Sequence, residues 1–310
     1  MRAIFWKELA DHFGRRRFLL LLGLVVLGIA WGIFITAREV YGATGVTTQN
    51  WLFLDMFLTN SGIVPSLLFY LSFFGPLIGI ALGFDSINSE RTQGTLPRVL
   101  SQPVFRDAVF NGKFLAGMTT MAVMVIAIMV GVIGSGMFIL KMAPAGAEVV
   151  RLLGFGIIAI VYLAFWLVLA MTASTFLRNT VSSALASLGI WLFSGVIVGL
   201  VANVVADLIV PSAQTASQAL RHYTIYSWIA RISPGEIFSE ATSILLDPVG
   251  GRSVTPLAFQ GAQLERLLAT PVSAGQSLQL VWPHIVVLLG MGAVLVALSY
   301  IKFMREEIRA

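Results

Sequence analysis

Six long apolar runs, separated by polar segments, set the pattern of this chain. They fall at about 18–37, 63–84, 114–140, 152–176, 181–205 and 281–303. Each is long enough to cross the hydrocarbon core of a bilayer, which takes about 20 helical residues at 1.5 Å each. In lipid a spanning backbone must satisfy its own hydrogen bonds, so runs of this length predict helices. The predicted fold class is an all-α membrane protein of six transmembrane helices forming a single transmembrane domain over residues 1–310.

The polar segments carry structure of their own. Residues 1–17 are too charged to span. Phe5, Leu9 and Phe13 recur at i, i+4 and i+8, with Met1 and Trp6 beside them and Lys7, Glu8, Asp11 and Arg15 roughly opposite. That predicts an amphipathic helix lying along the membrane interface. Residues 38–62 read as a polar loop containing Trp51, and 206–280 form the longest non-spanning stretch. Within it, 214–231 and 234–246 read as short helices that pack over the bundle mouth or dip into the interface. Pro76 predicts a kink in the second span. Gly75, Gly79 and Gly83 there, and Gly195 and Gly199 in the fifth span, form small-residue stripes that allow close helix approach.

Composition supports the membrane assignment. The chain has 310 residues, 57% hydrophobic and 11% charged, against about 25% charged in soluble domains. The net charge of +5 reads as topology, and no nucleic-acid partner is expected. With six spans, both termini share one side, which then holds thirteen of the 20 basic residues. The short loops opposite hold three (Arg38, Lys141, Arg151), and the long loop the remaining four. This sets both termini in the cytoplasm, places residues 85–113 there too, and puts 206–280 outside.

The chemistry that is missing narrows the function. There is no Cys and only three His, so no metal site is expected. Gly112-Lys113 lacks the upstream glycine of a phosphate loop, and no metalloprotease or serine-hydrolase motif occurs. Between their ends the predicted spans carry no Asp, Glu, Lys or Arg, which argues against an ion-coupled secondary transporter. The chain has no visible energy source, so it is either a passive pore or is worked by a partner.

The polar segment 85–113 is where that partner is expected. It contains Glu90-Arg91-Thr92-Gln93-Gly94-Thr95-Leu96, then Leu100-Ser101-Gln102-Pro103-Val104 followed by Arg106, then Gly112-Lys113-Phe114-Leu115. These resemble the permease signature of the ABC-2 type transporters. Phe5-x-Lys7-Glu8-Leu9 and Ile232-Ser233-Pro234 are also similar to family sequences, and the likeness covers essentially the whole chain. Pro97 departs from the pattern. The resemblance implies a cytoplasmic coupling helix in 85–113 that contacts a separate ABC ATPase through Glu90, Arg91, Gly94, Thr95, Arg98 and Arg106. It implies a non-catalytic plasma-membrane subunit that binds no cofactor. ATP and Mg sit on two partner ATPase chains, and a second permease copy completes a homodimer. Spans two and five, with Gly75, Gly79, Gly83, Gly195 and Gly199, would line the path, most often for export, under a lid formed by the external helices. Alternatives are a mechanotransmitting subunit acting on an extracytoplasmic partner, and a secondary transporter or channel.

Overall fold

The computed structural model describes residues 2–14, 16–42, 53, 54, 57, 67–92, 94, 106–141, 143–211, 215–247 and 272–305. Among these there is helix and no strand. The helices are α1 (Arg2–Gly14), α2 (Arg16–Gly42), α3 (Leu67–Gly83), α4 (Asn88–Thr92), α5 (Arg106–Leu140), α6 (Gly146–Phe176) and α7 (Thr180–Leu192). A π-turn (Phe193–Ile197) joins α7 to α8 (Val198–Ile209); α9 (Ala216–Ala230), α10 (Pro234–Leu246) and α11 (Ala274–Arg305) follow. Among the described residues, five helical stretches are long and apolar enough to cross a membrane: Leu68–Thr92, Asp107–Ile139, Gly146–Phe176, Thr180–Ile209 and Ala274–Arg305. The run expected at 18–37 belongs to α2, a helix of 27 residues.

α6 is the axis of the bundle: α3, α5, α10 and α11 all pack on it, and Phe155, Ile158, Ala159, Leu163 and Ala170 along its length are fully buried. Its close fit to α3 comes from the glycine stripe. A Cβ added at Gly83 would stand 2.6 Å from the Leu167 carbonyl oxygen, and one at Gly75 would stand 2.5 Å from Leu163 Cδ2. Only a missing side chain lets two backbones approach so near. α3 and α6 run in the same direction, and α3 continues through Pro76.

Helix ends are set by local chemistry. Glu148 accepts a hydrogen bond from Ala145 N at 2.8 Å at the start of α6. Asn179 caps α7 by accepting from Val181 N at 2.8 Å. Thr215 and Gln218 cap α9 reciprocally, and Pro234 opens α10 at a position that needs no N–H. The helices outlast the apolar runs. α5 starts at Arg106 and α6 at Gly146, so Arg151, expected in a loop, lies inside a helix and is completely buried. Phe53, Leu54 and Phe57, from the stretch read as a polar loop, are buried too, with Phe57 edge-on to Phe155 at 5.3 Å. Trp51 lies outside the described residues.

The two short helices α9 and α10 form where the sequence predicts them, and α10 goes deeper than a lid at the bundle mouth would. α10 runs antiparallel along the first half of α6. Leu245 near its end takes a 2.9 Å hydrogen bond from Arg151, while Phe238 near its start stacks on Tyr162 at 4.3 Å. Tyr162 is 16 residues into α6, about 24 Å along the helix. α10 is thus buried into the bundle to about the midpoint of α6.

Candidate functional site

Of the segment 85–113 read as a coupling element, residues 85–92, 94 and 106–113 are described. After Gly83 the chain turns: Phe84 N bonds Ile80 O and Ser86 N bonds Gly83 O, at 2.9 and 3.2 Å. It re-enters helix as α4, where the Ser89 hydroxyl donates to Asp85 O at 2.6 Å. Gly94 N bonds Arg91 O at 3.1 Å with Gly94 at φ +64°. That left-handed conformation, which closes a helix, is the physical reason for glycine here.

Three sets of bonds fix this turn to the bundle. The hydroxyl oxygen of Ser174, near the end of α6, accepts from both Ile87 N and Asn88 N at 3.1 Å. Arg91 Nη1 donates to Thr175 O at 3.2 Å, placing a cation at the negative end of α6. The Thr175 hydroxyl in turn pairs with Ser299 of α11 at 2.9 Å. The third set is ionic. Lys113 Nζ in α5 lies 2.8 Å from Glu90 Oε1 and 2.8 Å from Glu8 Oε1 of α1. All three side chains are largely or fully buried, at 6% (Lys113), 13% (Glu90) and 5% (Glu8) exposure. α1 closes against α5 at Gly112, where an added Cβ would meet Ile4 at 3.0 Å.

Glu8 sits on the inner face of α1 with Ile4 and His12, while Trp6 and Phe13 are exposed. This corrects the expected polarity of the helix: periodicity placed Glu8 on the solvent side, and its salt bridge to Lys113 turns it inward. Burial raises the Glu8 pKa, but Lys113 and then Lys7 outweigh it and hold the carboxyl below its ordinary value.

The residues singled out from the sequence separate into distinct settings. Glu90 and Arg91 point into the bundle as anchors; Thr92 and Gly94 are the exposed positions of the turn. Thr95, Pro97 and Arg98 lie outside the described residues, and Arg106 opens α5. Gly75, Gly79 and Gly83 face α6 of the same chain. Gly195 lies in the π-turn and Gly199 one turn on, both facing open space. Sequence reasoning did not assign roles to Glu8, Lys113, Ser174 and Thr175. The Lys-Glu pair in α1 and the Gly112-Lys113 step were the available signals for the first two; Ser174 and Thr175 carried none.

A bundle of long apolar helices, with a polar turn bonded to α5 and α6, defines a multi-pass membrane protein. A family model described as ABC-2 family transporter protein matches residues 2–308, and the chain belongs to this family. It is similar to the probable ABC transporter permease protein NosY of Pseudomonas aeruginosa, 28% identical over 262 residues covering 81% of this chain and 84% of the relative. It is also similar to the protein of the same description from Stutzerimonas stutzeri, 26% identical over 240 residues, 75% of this chain and 77% of the relative.

Proposed function

We propose that this chain is the membrane subunit of an ATP-driven ABC transporter in the plasma membrane, an exporter that works as a homodimer with two separate ATPase chains. It has six spans, with α2 the first, and both termini in the cytoplasm. ATP and Mg are held by the ATPase chains, and this subunit catalyses no chemical step. The 85–113 segment is the coupling element, with Thr92, Gly94, Thr95, Arg98 and Arg106 facing the ATPase and Glu90 and Arg91 tying the element to the bundle. The translocation path lies between two copies, lined by the second and fifth spans, with Gly195 and Gly199 on the fifth.

The observation that carries this reading is the anchoring of the turn. A partner that pushes on residues 92–94 moves α1, α5, α6 and α11 together, because buried ionic and hydrogen bonds join the turn to α1, α5 and α6, and Thr175 carries the connection on to α11. A solvated loop has no use for a buried ion triad, which costs desolvation free energy. The test is co-purification with the ATPase and stimulation of its ATP hydrolysis. Gly94→Trp, at an exposed position, is expected to leave membrane insertion intact and to lower ATPase binding or coupling. No ATPase in the purified complex, or full coupling in that variant, overturns the reading.

A second reading is a subunit that transmits ATPase motion to an extracytoplasmic partner. It is favoured by Leu220, Trp228 and Ile232 on and beside α9, which are 64%, 70% and 66% exposed.

A further inference from the structure

Halfway along α6 a cleft of about 230 Å³ opens between α3, α6, the end of α7 with its π-turn, and the first turns of α10. Five of its fourteen lining residues are aromatic, among serines and glycines. Phe69 and Phe73 stack at 5.6 Å, Phe73 meets Trp191 edge-on at 5.0 Å, and Tyr162 and Trp166, edge-on to one another at 6.3 Å, also line the cleft. Glu236 is the one charged residue that lines it, and no basic side chain does so among the described residues. Its carboxylate receives a 3.4 Å hydrogen bond from Tyr226. The hydroxyl of Ser233, buried beneath the floor, has no partner among the described residues.

We propose that this cleft binds an ammonium group carried on an apolar body. Aromatic faces present negative charge, and a cation within about 6 Å of several rings is held by all of them. Glu236 supplies the countercharge. The first turn of α10 works in the opposite sense, since a helix start carries about half a positive charge. Burial, with the Glu240 carboxylate, raises the Glu236 pKa and the Tyr226 hydrogen bond lowers it; in its ionised form the carboxylate outweighs the helix start, and the mouth then favours cations over anions. The size fits a compact ligand or the head of a larger one, being below the roughly 300–1,000 Å³ of drug-sized sites. An ionisable group at this depth in a helix bundle marks a functional position more often than a structural one. Glu236 escaped notice because the stretch around it reads as an external loop.

This inference deepens the transport reading by naming the substrate class. It is separable from it, because binding to the permease needs no ATPase while transport does. The test measures binding of radiolabelled phenyltrimethylammonium to the full-length chain in nanodiscs of phosphatidylglycerol. Competitors are tert-butylbenzene, its neutral isostere, and benzenesulfonate, an anion of similar shape. Saturable binding is expected, with the ammonium at least about tenfold tighter than either competitor. Glu236→Gln is expected to erase that preference while keeping the affinity for the neutral isostere. Phe73→Leu weakens the ammonium more than the isostere, a second reading of the site if the Glu236 variant does not fold. Adding phosphatidylcholine to the nanodiscs separates two sources of the same chemistry. Inhibition assigns the site to a lipid headgroup, unchanged affinity assigns it to a free cation, and either result upholds the site. No saturable binding, equal affinity for ammonium and isostere, preference for benzenesulfonate, or an unaltered preference in Glu236→Gln overturns it.

Discussion

Replacing Lys113 by Met tests the ion triad most directly. The lysine is the shared cation of two buried carboxylates, each 2.8 Å away. Met keeps the length and removes the charge, leaving Glu8 and Glu90 buried beside one another. Removing one partner of a buried pair costs about 3–5 kcal/mol, because an uncompensated charge remains. Removing all three charges, in Glu8→Gln/Lys113→Met/Glu90→Gln, leaves no such charge and is expected within about 1 kcal/mol of the parent. The pair of results therefore separates charge compensation from packing. Denaturant unfolding in mixed micelles supplies the free energies, and pH adds a sign. In the parent, Glu8 has a depressed pKa. Its contribution is complete above the ordinary carboxylate value and is lost as pH falls through the lower folded value. In Lys113→Met burial dominates and the shift reverses, so that variant gains stability as pH is lowered from 7 towards about 4.5 while the parent does not. If the triple variant is as unstable as the single one, or the single variant shows no gain on acidification, the triad does not stabilise through charge.

Further substitutions address other joints. Gly83→Ala places a methyl 2.6 Å from Leu167 O and 2.8 Å from Ala170 Cβ; it should destabilise by about 1–3 kcal/mol through forced separation of α3 and α6. Gly199→Ala meets nothing within 4 Å and, inside α8, should raise stability by about 0.5–1 kcal/mol, so any loss of transport or dimerisation in that variant reports on a surface outside the protomer. Gly94→Ala is strained by conformation and not by space, at about 1 kcal/mol, and Gly94→Asn should recover part of it. Arg151→Met removes donors to the carbonyls of Leu245, Ile244 and Val272 and to the hydroxyl of Ser277. Faster hydrogen exchange at the end of α10 and the start of α11, with little change in α5, is the expected outcome.

What the sequence disclosed follows from what periodicity measures. Apolar runs located the spanning helices because length and hydropathy are what a bilayer selects. The glycine stripe of α3 was visible as spacing, and its partner was not, since spacing names one side of a contact only. Glu8 was placed on the wrong face because the periodicity of α1 counts a carboxylate as solvent-seeking; its partner is 105 residues away. Glu90 belonged to a recognisable motif, but the motif does not say whether a side chain points to a partner or to Lys113. Glu236 was hidden for a related reason: a stretch too polar to span reads as external, whereas α10 meets its polar needs with Arg151, Tyr226 and the hydroxyls around it while burying Ile237, Phe238, Ala241 and Leu245.

Both sites share α6. Ser174 and Thr175 hold the turn at one end, and Tyr162 and Trp166 form part of the cleft. Ser174 and Tyr162 are 12 residues apart in one continuous helix, about 18 Å. A single helix transmits a displacement of its end with little loss, so motion of the turn reaches the cleft without any intervening loop. The opposite wall has other support: Trp191 and Gly195 belong to α7 and its π-turn, which pack on α3 and α10 as well as on α6. A π-turn carries its backbone bonds at a wider spacing and occurs often at functional positions. On the proposed function, displacement of α6 relative to that wall changes the width of the cleft and so how tightly it holds a ligand. Crosslinking the two walls through Tyr162→Cys and Trp191→Cys is expected to leave ATPase binding intact and to abolish the ligand-dependent stimulation of ATP hydrolysis that the reduced, uncrosslinked double variant retains. Stimulation that survives a complete crosslink refutes this route.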